Sequence, residues 1–150
     1  MRLLFTFLLF LQSITLFGQD TVSNKLDDLQ LIKQFIAELA NENKRADVVL
    51  SQYVQVNNPG EELYDYLEAS LEEIRINLMT KNIEDIQYIP YAQMPRKEIK
   101  DIDLEGLNSD NIYFLKYRGR HLLALYVEKD KIASFTLVSK GYNKAHFVLY

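Results

Sequence analysis

The stretch NIYFLKYRGRHLLALYVEKDKIASFTLVSKGYNKAHFVLY, residues 111–150, decides the fold. Apolar and aromatic residues crowd segments 111–117, 120–128, 131–139 and 144–150. Arg118-Gly119, Lys129-Asp130 and Lys140-Gly141-Tyr142-Asn143 divide them. Enrichment of this kind between turn residues predicts strands. Connections this short join antiparallel neighbours only, so the segments form a β-meander.

Two-residue turns at the first two hairpins would set Phe114 opposite Leu123 and Leu125 opposite Ser134. One face then carries Ile112, Phe114, Leu123, Leu125, Val127, Ile132 and Val138. The other carries Tyr113, Leu115, Tyr117, Leu122, Ala124, Tyr126, Ala133, Phe135 and Leu137. A meander covered on one side alternates apolar with polar residues, and here both faces are apolar. Helices can shield one face. The second needs another layer, a pocket or a partner, a second copy of the chain included.

Upstream the period is helical. Leu26, Leu29, Ile32, Ile36 and Leu39 form one apolar stripe, with Ser23 as its expected cap. Asp47 offers a second cap before Val48-Val49-Leu50. Beyond the breaker Asn57-Asn58-Pro59-Gly60, a further stripe runs through Tyr64, Leu67, Leu71, Ile74 and Leu78. Residues 83–94, rich in isoleucine and tyrosine and interrupted by Pro90, suit an edge strand, and residues 99–107 an irregular extended piece. The fold class is therefore α+β, with N-terminal helices packed on a C-terminal antiparallel meander. Helices followed by a strongly bent antiparallel sheet resemble the nuclear-transport-factor-2-like and cystatin-like folds. That resemblance implies a sheet curved into a cone around an internal pocket, and it implies no activity.

Residues 1–18 read as a secretory leader: Met1-Arg2, an apolar run from Leu3 to Leu11, and a small residue, Gly18, at the expected cleavage point. The run is too short to span a bilayer, so residues 19–150 are expected as one exported domain, periplasmic or extracellular, with no integral membrane segment. The chain has 17 basic and 21 acidic side chains, a formal charge of −4, and no cysteine. Acidity without a basic cluster argues against nucleic acid as a partner. The lack of cysteine excludes disulfides, thiolate metal sites and cysteine nucleophiles.

No glycine-rich phosphate loop or nucleophile elbow is present, and neither a cofactor nor a metal site is expected. Asp101-Ile102-Asp103-Leu104-Glu105-Gly106 opens like a calcium loop, but position twelve is Ile112 where such a loop needs glutamate, so a solvated strand fits better. Arg118, Arg120, Lys116 and His121 crowd the Gly119 hairpin, where a carboxylate or phosphate can bind. If the third loop has four residues, His146 shares the tyrosine face with Leu137 while His121 faces away. The resulting reading is an exported, non-enzymatic binding domain. It would take a small ligand or protein on an apolar face lined by Tyr113, Tyr117, Arg120, Tyr126 and His146. Two alternatives stand beside it: a periplasmic inhibitor or immunity-type protein neutralising a basic partner, and a cofactor-free acid/base enzyme using His146 with neighbouring tyrosines.

Overall fold

The computed structural model describes residues 19–150, and the leader expected at residues 1–18 lies outside the described residues. Three helices come first: α1 (Gln19–Ala40), α2 (Ala46–Tyr53) and α3 (Glu61–Met79). On α1 the stripe buries Ile32, Phe35, Ile36 and Leu39, while Leu26 is 64% exposed. The helix starts ahead of Ser23, which is therefore not its cap. Arg45 takes the N-cap position of α2, and Asp47 lies in the first turn. There the Asp47 carboxylate accepts from the Val48 N–H at 2.9 Å and from Arg45 Nη2 at 2.7 Å. Gly60 caps α3, which turns Leu67, Leu71, Arg75 and Leu78 inward. No helix among the described residues is long and apolar enough to cross a membrane.

The strands that follow are β1 (Ile86–Pro90), β2 (Ile112–Tyr117), β3 (Arg120–Glu128) and β4 (Lys131–Ser134), in one antiparallel sheet ordered β1-β2-β3-β4. A short helix, α4 (Arg96–Ile99), sits between β1 and β2. The α+β class and the antiparallel meander are as expected, and β1 is the predicted edge strand. The conical sheet implied by the resemblance is not confirmed.

Two details differ from expectation and reshape the molecule. The segment 131–139 is not one strand: it breaks after Ser134, and β5 (Leu137–Gly141) pairs with β6 (Lys144–Phe147) in a separate two-stranded sheet. The register also slips. Tyr117 pairs with Arg120 and Lys116 with His121, as a two-residue turn requires, but Leu115 pairs with Leu123, leaving Leu122 as an extra residue. A bulge of one residue sends every later side chain to the opposite face. Phe114 therefore faces Ala124, and Tyr113 faces Leu125. A second bulge, at Ala133, sets Tyr126 against Ser134. The third hairpin turns tightly at Tyr142-Asn143, not through four residues, so His146 pairs with Val138.

Both sheet faces are buried, as the two-sided apolar pattern predicts. On one side Tyr113, Leu115, Leu125, Val127 and Ile132 pack against the helices. On the other Ile112, Phe114 and Tyr126 pack with Phe147, Met94 and the flanking apolar residues of segment 91–107. The missing layer is thus the chain's own: the β5–β6 hairpin and the segment ahead of β2.

Candidate functional site

The break after Ser134 creates an apolar concavity. Thr136 accepts from the Val148 N–H at 3.0 Å, which turns the backbone from β4 into β5. Tyr150 holds the bend from below. Its hydroxyl accepts from the Phe135 N–H at 3.1 Å, bonds the Thr136 hydroxyl, and its ring lies 5.1 Å from that of Phe135. Because β4 pairs with β3 only along Tyr126, Val127 and Glu128, the first half of β3 has β2 on one side and no strand on the other.

A cleft of ≈ 450 Å³ fills that gap. Phe114, His121, Leu122, Leu123 and Ala124 line it from β2 and β3; Phe135, Leu137 and Ala145 from the bend and hairpin; Glu98, Asp101 and Ile102 from the segment opposite. Its volume and apolar lining with a few polar groups fall in the range of ligand sites.

Charged contacts strap the 91–107 segment across the second face. Glu98 Oε2 accepts from Lys116 Nζ at 2.7 Å and lies 2.7 Å from His121 Nε2. The Lys116 ammonium, with His121 second, holds the Glu98 carboxyl below its ordinary range. Asp103 and Glu105 both bind Lys140, and Glu105 Oε2 also lies 3.0 Å from His146 Nδ1. Lys140 is the main cause of the lowered pKa at each of those carboxyls. Backbone bonds run alongside: Asp103 N–H to the Ala145 carbonyl at 2.8 Å and Ala145 N–H to the Asp101 carbonyl at 2.9 Å. The alternating acids at 101–105 therefore do not form a simple solvated strand. Two of them are ion-paired to the C-terminal hairpin.

Next to the cleft, and sharing His121 and Leu122 with it, lies a polar depression of ≈ 590 Å³ lined by Lys81, Tyr117, Arg118 and Arg120. Lys81 Nζ stands 5.8 Å and the Arg118 guanidinium 5.2 Å from the centre of the Tyr117 ring. Among the described residues no carboxylate lies within ion-pair distance of Lys81, Arg118 or Arg120.

The expected tyrosine-lined face is divided by the bulge at Leu122. Tyr113 sits on the helix side at 2% exposure, its hydroxyl donating to Asp28 Oδ2 at 3.3 Å. Burial is the leading cause that raises the pKa of both groups. Tyr126 is on the opposite face, 4% exposed and 6.5 Å from the Phe147 ring, and burial raises its pKa too. Tyr117 and Arg120 come together in the basic depression, as the charged hairpin suggested. His146 is held by Glu105 and does not line the cleft.

Of the cleft residues, Leu122, Ala124, Phe135 and Leu137 were expected on the tyrosine-bearing face, while sequence reasoning missed Glu98 and Ala145. The signal it lacked was the break at Phe135-Thr136, which carries neither glycine nor proline. The chain matches no known protein family, no curated protein and no solved structure.

Proposed function

We propose that this chain is an exported, non-enzymatic binding domain whose site is the apolar cleft between β3 and the β5–β6 hairpin. Export rests on the leader-like residues 1–18. The observation that carries the binding reading is the ≈ 450 Å³ cleft itself, lined mostly by apolar side chains and bordered by Glu98, Asp101 and His121. Two sheets that part at a bend leave a space that neither side chains nor a further strand among the described residues fill. Such concavities are the default seats of ligands. The polar groups at its border are suited to orienting an occupant, and His146, tied to Glu105, is not placed to act on one.

The test is titration with 8-anilinonaphthalene-1-sulfonate, followed by dye fluorescence and by amide shifts. Enhancement is expected, with shifts at Leu122–Ala124, Leu137 and Ala145. Ala124→Trp fills the cleft and should weaken the dye about tenfold, a loss of about 1.4 kcal/mol. Leu122→Glu, at a half-exposed position, checks the result if the tryptophan disturbs folding. Dye shifts confined to other surfaces, or undiminished by both substitutions, would refute the reading.

A further inference from the structure

We infer that the occupant of the cleft is an extended peptide segment, which adds to the free edge of β3 as another strand and sets an acidic residue against Lys81, Arg118 and Arg120. This rests on the binding-domain reading and names the class of partner.

The backbone supplies the first argument. The β1 and β4 edges of the four-stranded sheet are protected in part. β1 ends in Pro90, which has no N–H to offer, and Lys33 of α1 lies over the Tyr88 ring at 5.7 Å. Outside β4, Val54 bridges Ile132 and the Gln55 N–H donates to the Ile132 carbonyl at 2.9 Å. The first half of β3 has no such cover. Along Arg120 to Leu125, about 20 Å at the usual rise of a strand, no strand pairs with the outer side among the described residues, and no loop backbone bonds to it. Unpaired N–H and C=O groups in a row are a template for strand addition, and natural sheets ordinarily hide them. A peptide seated there satisfies these groups, while its alternate side chains reach the cleft lining.

Side chains supply the second. Leu122, Leu123 and Ala124 are only half-buried along the edge, although β3 buries Leu125, Tyr126 and Val127 fully further on. Leu137 and Ala145 face them across the cleft. An incoming strand with an apolar residue at every second position covers both sets.

Charge supplies the third and fixes the chemistry. In a protein of net charge −4, Lys81, Arg118 and Arg120 converge without an acidic partner among the described residues, at the hairpin end of the open edge. A carboxylate arriving there meets guanidinium groups able to bind it in bidentate fashion. The same cations repel a basic strand, so they select among extended segments as well as attract.

The probe comes from selecting a displayed library of random linear dodecapeptides on the purified protein and synthesising the selected sequences. Selected peptides should alternate apolar residues, carry Asp or Glu toward one end, and slow amide exchange across residues 120–125. Methylating alternate backbone nitrogens of the peptide should cost at least about tenfold in affinity, and so should Arg118→Asn with Arg120→Gln. Both substitutions lie at an exposed hairpin tip, and circular dichroism checks that the fold is kept.

Selection of no peptide, undiminished binding of the methylated form, or protection elsewhere in the protein overturns strand addition. The sulfonate dye then separates the two ideas: if it still reports on the cleft, only the peptide inference fails, and if it does not, both do. A dimer by light scattering, with residues 120–125 already protected in the absence of peptide, overturns the inference in favour of a second copy of the chain.

Discussion

Arg75 carries a positive charge into the helix layer and finds three acceptors there. Its Nε donates to the Leu39 carbonyl at 2.9 Å, Nη2 to the Lys44 carbonyl at 2.6 Å, and Nη1 to Glu72 at 2.8 Å. The first two are carbonyls at and just beyond the end of α1, which that helix cannot satisfy itself and whose dipole favours a cation. Arg75→Ala strands both, and a urea titration should show a loss of about 2–3 kcal/mol. Arg75→Lys should recover little, since one ammonium cannot serve three diverging acceptors. A different residue-scale feature recurs at the hairpins. Arg118-Gly119, Lys129-Asp130 and Tyr142-Asn143 all adopt positive φ at both positions, the turn that matches strand twist and favours Asn-Gly. Lys129→Asn with Asp130→Gly relieves left-handed strain at a solvent-exposed turn and should raise stability by about 1 kcal/mol. Thermal unfolding that falls instead would show that those side chains have another role.

The elements were largely legible in the residues, and their joins were not. Periodicity located α1, α3 and the hairpin strands because each buries one continuous stripe or ribbon. The bulges at Leu122 and Ala133 and the break at Phe135-Thr136 left no such trace. A bulge needs no special residue, and it shows only in how one strand pairs with the next. That is why Tyr113 and Tyr126, expected on one face, lie on opposite faces, and why Glu98 and Ala145 were not foreseen in the cleft lining while the hairpin cations were. At this scale the strap formed by residues 91–107 has a pH dependence of definite sign. Lys116 and Lys140 hold Glu98, Asp103 and Glu105 below their ordinary pKa, so their pairing stabilises the strap above the ordinary carboxylate range and is lost as pH falls through the lowered values. Amide exchange by mass spectrometry should therefore show residues 95–107 opening in acid, below about pH 4, ahead of the central sheet. Glu98→Gln with Glu105→Gln should open the strap already at neutral pH and flatten the dependence. An unchanged acid profile in that variant would assign the effect to other groups.

For the molecule as a whole, one sheet separates two cores of unequal kind. The helix side is built from three helices and the inner residues of four strands, the far side from a hairpin and an irregular strap around Phe114, Tyr126 and Phe147. Phe147→Ala should cost about 3–5 kcal/mol for a buried phenyl ring. It should also raise exchange in β5, β6 and residues 95–107 while leaving α1 and α3 protected. Uniform loss of protection would mean that the two cores melt as one unit. The seam closed by Tyr150 has a kinetic consequence. The three tight hairpins join neighbours in sequence and can zip locally. In contrast, the bonds from Asn57 to the Tyr150 carbonyl span 93 residues and the Val54–Ile132 bridge closes a loop of comparable scale. Long-range closure is the slow part of assembling a chain, and contacts made after the barrier govern how fast it comes apart. Stopped-flow measurements on Asn57→Ala, which removes the side-chain bond to the Tyr150 carbonyl, should therefore find faster unfolding with refolding nearly unchanged, the mark of a latch that snaps shut last.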